Sequence, residues 1–455
     1  MERHVRLCLF GSQINKFSTY IFILDPMSPK PILIVTYYWP PSGGSGVQRW
    51  LYFSKYLKIL GYSPIVLTID LESASYPSID KSLVKEAEGI PIHYVKAFNW
   101  IKVYTSLKKD KNVNRIPQGE FLKKGVLDHV ASFIRGNFFI PDARVSWVKP
   151  ATVKALKIIK DNKIDKIITS GPPHSTHMIG LNLKSKLNLK WIADFRDPWT
   201  DMFYLKSFSR FSFSKKKDSL LEKKVLSNAD AILTTASENF HIELQSKISV
   251  NQKFYKIYNG FDSNLFNKVE RKTNKTFKIV FTGLLTTNHP YKSIIDSLIK
   301  LKKLYPEIKI KIILAGSISD EIIKDFNNVS NVECHGHVDH SIAIDLMRQG
   351  DILLNFLFNQ NKKSTMISGK LFEYMATGNP VLMVGDTEGE AAKLLSKQSY
   401  NLTVKPIKTD LIISFIKHNY DNWLNGKKVK GEFDLIKSFS RKENTKKLIN
   451  IIDNL

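Results

Sequence analysis

Cysteine is nearly absent from this chain, with two residues, Cys8 and Cys334, among 455. A pair so far apart excludes a disulfide framework and a cysteine-based zinc module, and it fits a reducing, cytoplasmic setting. Long apolar runs are missing too. No segment approaches the roughly 20 apolar residues of a spanning helix, and Tyr20–Leu24 is too short to anchor the chain. The start makes a poor signal peptide, because Arg3, His4 and Arg6 lead into an apolar stretch broken by Gly11, Gln13, Asn15 and Lys16. Residues 1–26 are therefore expected to be a disordered extension or a mis-assigned start, with Met27 the more natural beginning. Acidic residues are the third shortage: 42 stand against 68 Lys and Arg, for a formal net charge of +26. That balance suits anionic partners: nucleic acid, an anionic membrane surface or a phosphorylated substrate. The lysines are scattered, however, as a bias of composition on solvated faces would also scatter them. No base-stacking motif accompanies the charge, so nucleic acid is not the expected partner.

What the sequence does have is strand–helix alternation, run twice. With 43% hydrophobic residues, it can build two or three cores. Pro31–Thr36 reads as a buried strand, a loop follows, and Val47–Leu57 reads as a helix, the opening of a Rossmann-like unit. Gly61–Thr68 is a second strand. Residues 71–120 are polar and irregular and read as an insertion with loops. Phe121–Phe139 mixes Lys123, Lys124 and Arg135 with Phe133, Phe138 and Phe139 at helical spacing. That pattern suits either a helix covering its own sheet or one lying in a membrane interface. Strands at Ile164–Thr169, Lys190–Ala193 and Ala229–Ala236, with helices at Pro150–Lys160 and Asp218–Leu226, fill out the first half. The charged segment Asn267–Thr276 reads as a linker. Beyond it come a strand at Phe277–Gly283, a helix at Ser293–Leu304, strands at Ile308–Ala315 and Val332–Val338, a helix at Ile342–Gln349 and a strand at Asp351–Phe356. The expected fold class is α/β, two Rossmann-like doubly wound domains facing across a cleft. The expected divisions are 27–266, 267–435 and a helical tail, 436–455.

Polar clusters gather where the strands end, which is where open parallel sheets bind ligands. Gly43, Gly44, Ser45 and Gly46 follow the first strand, and glycines there let backbone approach a ligand across the cleft. The loop is not a GxGxxG fingerprint, so no nicotinamide cofactor follows from it. Ser170–His177 places His174 just before a helix start, and Asp194–Trp199 brings Arg196 and Asp197 to the next strand end. No nucleophile-elbow order is present. His174 and His177 lack a third ligand, so no metal is expected.

The most informative stretch is Ser368–Pro380, which reads as loop, helix and turn before the strand Val381–Gly385. Ser368 can cap the helix, and Gly369 leaves its start open to a ligand. Leu371, Tyr374 and Met375 form one apolar face. Gly378 ends the helix, and Pro380 prevents its continuation. Free N–H groups at the start favour an anion, Lys370 adds a full charge, and Glu373 lies one turn further on the same face. A carboxylate there can accept bonds from two adjacent hydroxyls. Phosphate at the tip and a diol one turn along describe a nucleoside diphosphate.

This stretch, together with Tyr37-Tyr38-Trp39-Pro40-Pro41, the Gly-Gly-Ser-Gly loop running into Val47-Gln48-Arg49-Trp50, and both strand-end clusters, resembles the retaining GT-B glycosyltransferases of the group 1 or family 4 type. Lys256–Asp262 is similar to that family's hinge motif. The resemblance implies a terminal helix that crosses back onto the first domain. It implies transfer of a sugar from a nucleotide-sugar donor to a glycan or lipid-linked acceptor in cell-surface polysaccharide biosynthesis, with no metal and no cofactor, since the nucleotide sugar is a substrate. It makes His174 and Asp197 catalytic. Donor binding falls to Gly283, Lys292, Gly336, Val338, Gly369, Lys370, Leu371 and Glu373, with the ribose on Glu373. Gly43, Gly44, Ser45, Gly46 and Arg196 line the cleft. An enzyme of this kind is expected to be cytoplasmic and attached peripherally to the inner membrane face. Two departures stand out. Thr365 occupies the place of the family's first glutamate, and Leu284, Leu285, Thr286 and Thr287 follow Gly283 where an Arg and a Lys usually grip the diphosphate. They keep two alternatives open: a nucleotide-sugar epimerase of the same fold, and a non-catalytic binder of nucleotide sugars or nucleic acid.

Overall fold

The computed structural model describes residues 29–102, 126–202, 205, 208–235, 238–266, 275–357, 367–427 and 433–455. The expected extension 1–26, most of the linker, Thr365, Lys123 and Lys124 lie outside them. Two wholly parallel sheets carry the fold. The first has seven strands: β1 (Lys30–Thr36), β2 (Tyr62–Ile69), β3 (Ile92–Val95), β4 (Lys166–Gly171), β5 (Lys190–Phe195), β6 (Ala231–Thr234) and β7 (Phe254–Lys256). Their spatial order is β3-β2-β1-β4-β5-β6-β7. The second has six: β8 (Phe277–Thr282), β9 (Ile310–Ala315), β10 (Asn331–Gly336), β11 (Ile352–Phe356), β12 (Val381–Val384) and β13 (Leu402–Val404), in the order β10-β9-β8-β11-β12-β13. Each order reverses once, between β1 and β4 and between β8 and β11, so each sheet opens a crevice at the carboxyl ends of those strands. The unbroken apolar runs Ile32–Val35 and Ile279–Phe281 are buried in the sheet centres, as strands covered by helices on both faces require.

The insertion reading of residues 71–120 needs correction. Ile92–Val95 is the edge strand β3, paired with β2 from Val66↔Ile92 to Ile69↔Val95, and Ser82–Glu86 is a short helix. A four-residue edge strand carries too little apolar sequence to stand out from a polar surround. The edge strands β7 and β13 escaped for the same reason.

The helix Arg441–Asp453 begins against the second domain and ends in the first. Phe439, just before it, packs in a second-domain cluster with Leu371 and Phe372. Leu448, Ile451 and Ile452 belong to the first-domain core. Asp453 accepts from Lys30 Nζ at 2.8 Å and from Tyr62 Oη at 2.6 Å, and Lys166 Nζ reaches the Ile452 carbonyl at 2.6 Å. Ser440 Oγ caps the helix by accepting from Glu443 N.

Within the Phe121–Phe139 stretch, Val126–Phe138 is helical. It docks on the segment leading into the helix Ser212–Asn228 through Asn137, which donates to the Ser209 carbonyl at 2.8 Å, accepts from Phe211 N at 2.6 Å and takes a bond from Ser214 Oγ on its carbonyl at 3.2 Å. Val130, Ile134 and Phe138, four residues apart, stay on the open side.

Candidate functional site

The helix Gly369–Thr377 sits beside the second crevice. Gly378 closes it in the left-handed conformation, φ 69°, where glycine costs least. Ser368 occupies the cap position, but its side chain makes no capping bond, so the expected serine cap is not formed. Leu371, Tyr374 and Met375 are buried, and Tyr374 Oη accepts from Thr282 N at 2.9 Å, fixing the helix to the end of β8.

Lys370 leans back over that strand end. Its Nζ donates to the Thr282 carbonyl at 2.9 Å and lies 3.8 Å from the centroid of the Phe281 ring. A Cβ at Gly283 would come within 3.1 Å of the ammonium, and one at Gly316 would strike the Gly283 carbonyl at 2.1 Å. Gly316 N in turn donates to the Gly336 carbonyl at 2.6 Å. The ends of β8, β9 and β10 are thus closed by glycines, which leave room for the lysine. Burial without a carboxylate partner pushes the Lys370 ammonium down to about 7.

Glu373 is buried. His340 Nε2 meets its Oε1 at 2.8 Å, and Arg441 Nη2 approaches the same oxygen at 3.4 Å. Burial pushes the carboxyl upward, but the neighbouring His340 ring, its hydrogen bond and the Arg441 charge outweigh that and hold it below the usual range. Among the described residues, nothing hydrogen-bonds Oε2. The sequence led to a carboxylate fully open to a ligand; the structure shows one oxygen engaged and one left over.

On the first-domain side, Arg196 spans two strand ends. Its Nε donates to the Gly171 carbonyl at 3.1 Å, and Nη2 donates to the Pro172 carbonyl. Nη1 fills the space over Gly46, where a Cβ would fall 1.5 Å away. Asp194, just before it, is a buried strut. It accepts from Arg49 Nη2 at 3.0 Å, Trp50 Nε1 at 2.7 Å and Ser170 Oγ at 2.8 Å. Asp197 is half-buried and takes no hydrogen bond among the described residues, and burial raises its carboxyl despite the adjacent Arg196. The His174 ring is buried and stacked on Trp199, with centroids 4.9 Å apart and planes 5° from parallel. Its Nε2 lies 3.2 Å from the Pro198 carbonyl. A carbonyl only accepts, so Nε2 carries the proton and Nδ1 is a bare lone pair without a partner. Burial drives the ring's protonation well below the ordinary histidine range, so this neutral tautomer persists at physiological pH. A Cβ on Gly171 would meet His174 Nδ1 at 3.1 Å and His177 Nε2 at 2.6 Å. The His174 ring nitrogens therefore face Pro198 and Gly171.

The two halves touch. A Cβ on Gly369 would come within 3.0 Å of Ser45 Cβ, so the glycine loop after β1 reaches the start of the Gly369–Thr377 helix. Val338 packs against the cluster that holds Leu371. Gly43 is tied away from the helix, its N donating to the Ser78 carbonyl at 3.0 Å, and Gly44 holds φ 104° as it leads into the helix Ser45–Ile59. Lys292 stands exposed at the start of the helix Lys292–Leu304, where nothing described ties it to Lys370. His340 and Arg441, the partners of Glu373, went unrecognised because they lie 33 and 68 residues away in no motif. His289 also went unrecognised. Burial pushes it down to about 4, and the nearby Lys370 charge adds to that.

No protein-family model matches the chain, and no curated protein matches it by sequence. Solved structures do match. A glycosyltransferase from Rickettsia africae superposes with TM-score 0.56 at 16% identity, over 93% of this chain and 97% of that one. Sucrose-phosphate synthase from Thermosynechococcus elongatus gives TM-score 0.62 at 12% identity, over 93% and 98% of the two chains. Anabaena HepE, solved in complex with UDP-glucose, gives 0.61 at 13% identity, over 93% and 100%. At such identities the likeness is one of fold.

Proposed function

The chain has the GT-B fold of two Rossmann-like domains with a helix returning to the first, and from that premise we propose that it is a glycosyltransferase using a nucleotide-sugar donor. The observation that carries the reading is the Gly369–Thr377 helix. The helix start, Lys370, which has no carboxylate partner among the described residues, and Glu373 Oε2, which takes no hydrogen bond among them, follow one another along the helix, in the order diphosphate, then ribose. The donor carbon leaves a diphosphate that gathers negative charge in an oxocarbenium-like transition state. Lys370 and the helix start are fixed in place before that charge develops, which is where electrostatic stabilisation is most effective. No step in this scheme calls on a metal. Gly283, Gly336 and Val338 shape the donor side, and Lys292 adds a solvent-exposed charge. Ser45, Gly46 and Arg196 form the opposite wall, with Gly43 and Gly44 setting the loop's path.

Asp197, whose carboxylate takes no hydrogen bond among the described residues, is the first-domain carboxylate left to meet the reacting sugar or the acceptor hydroxyl. His174 acts beside it by holding Pro198 and Trp199. Transfer proceeds with retention to a glycan or lipid-linked acceptor of surface-polysaccharide synthesis, in the cytoplasm or at the inner membrane face. We divide the chain functionally at 27–266, 267–435 and 436–455. In the test, UDP, GDP, ADP, CDP and dTDP and their sugar conjugates are screened by thermal shift, since a ligand of the native state raises the melting temperature by mass action. The best donor is then assayed for transfer with and without EDTA. Stabilisation by one nucleotide series and chelator-resistant transfer are expected. Failure of every nucleotide to stabilise the protein would sink the reading, and conversion of the donor's sugar without acceptor would make it an epimerase.

A further inference from the structure

One side chain of the crossing helix reaches the nucleotide half of the cleft. Arg441, the residue after the Ser440 cap, is 5% exposed. Its Nη2 donates to Gln48 Oε1 at 2.6 Å and approaches Glu373 Oε1 at 3.4 Å. The guanidinium lies 4.0 Å from the centroid of the Tyr52 ring, and the backbone N donates to the Phe261 carbonyl at 2.8 Å. Gln48 and Tyr52 stand one turn apart on the first-domain helix Ser45–Ile59, whereas Glu373 belongs to the second domain. One buried cation therefore joins both domains at the carboxylate expected to meet the ribose.

The chemistry of that carboxylate needs such a neighbour. To accept bonds from a diol, Glu373 must stay ionised in a buried position, and an unpaired buried carboxylate protonates instead. His340 can donate a hydrogen bond as a neutral ring. Arg441 supplies a full positive charge beside it. Both donors converge on Oε1, which leaves Oε2 the oxygen that no described residue engages. The Arg441 geometry is also unfinished: Nε and Nη1 are buried without hydrogen-bond partners, and among the described residues the guanidinium is held by Gln48, the Tyr52 face and Glu373.

We propose that Arg441 is a positioning residue of the nucleotide site, fixing Glu373 with Oε2 free for a ribose hydroxyl, and that Gln48 and Tyr52 make the first domain a determinant of nucleotide affinity in the second. This rests on the reading of Glu373 as a ribose ligand. It is tested on the full chain with whichever of UDP, GDP, ADP, CDP and dTDP stabilises it most, by calorimetric titration of wild type, Arg441→Lys, Arg441→Met, the pair Gln48→Met/Tyr52→Leu, and each in a Glu373→Gln background. Expected are a tenfold or greater loss of affinity for Arg441→Met, a smaller loss for Arg441→Lys, and at least a threefold loss for the first-domain pair. Each should shrink to under twofold when Glu373 is already Gln. A purely structural arginine would lower the melting temperature and leave affinity unchanged, or cost the same factor in both backgrounds, and either result overturns the proposal. If Arg441→Met does not fold, Arg441→Lys and the first-domain pair carry the same comparison. Failure of the underlying reading shows separately, as a Glu373→Gln single variant that binds nucleotide like wild type.

Discussion

Lys370 is a donor-side residue whose chemistry departs far from its solution behaviour. Its free ammonium loses its proton near pH 7 because burial is uncompensated. A bound diphosphate would supply the missing negative charge and raise that value. Binding then takes up a proton at any pH between the free and bound values, so affinity falls as pH rises above 7 and is flat below it. A nucleotide sugar is the right probe, since its diphosphate bears no group that titrates in this range. Titrations at pH 6, 7, 8 and 9 should show up to about tenfold weakening per unit above 7, and Lys370→Arg should flatten the profile. A wild-type profile without slope would separate Lys370 from the phosphates. Gly46 gives a second prediction. In Gly46→Ala the new methyl would displace the Arg196 guanidinium from the Gly171 and Pro172 carbonyls, and losing hydrogen bonds to a charged group costs about 1.5–3 kcal/mol. Urea unfolding measures it, and an unchanged midpoint would mean the arginine has another place to go.

At the scale of elements, the long apolar strands and the Gly369–Thr377 helix were legible in the sequence, because each buries its apolar pattern where it stands. Gly378 as helix stop and Leu371, Tyr374 and Met375 as the buried face needed no distant partner to be read. The environment of Glu373 was not legible, since its partners come from the helix His340–Gln349 and from residue 441, and only the fold brings them together. His174 looked like a group aimed at the cleft because it ends a strand, yet its ring turns inward onto Trp199. The Val126–Phe138 helix illustrates the same limit. Phe133 of that helix meets Phe211 at 5.1 Å, at the start of the helix Ser212–Asn228, where Phe211 and Phe213 stack at 5.6 Å beside exposed Lys215, Lys216 and Lys217. Phe138 is 66% and Phe213 60% exposed. We propose this face as the membrane contact. Basic side chains near an anionic leaflet contribute about 1 kcal/mol each, a term that salt screens, while the aromatics add burial that salt does not remove. Co-sedimentation with phosphatidylglycerol vesicles at low salt should be strong for wild type and weak for Phe138→Ser/Phe213→Ser. Wild type that ignores anionic vesicles at low salt would end the claim.

For the whole molecule, the crossing helix ties two cores into one folding unit. Leu448, Ile451 and Ile452 each contribute about 1.5–3 kcal/mol by leaving water, and all three do so inside the first domain. Ending the chain after Ser440 should therefore destabilise the first domain, although none of its strands is touched. Far-ultraviolet circular dichroism and urea unfolding of that truncation should show a weakened, broadened transition. A first-domain transition identical to wild type would mean the helix only rests on the core.

That same helix sets an order of events during synthesis. Strands β1 to β7 leave the ribosome long before residues 448–452, and domains generally fold as they emerge, the N-terminal one first. Here the domain made first is finished last. Its apolar seat for Leu448, Ile451 and Ile452 stays open to water, and to chaperones, throughout the translation of the second domain.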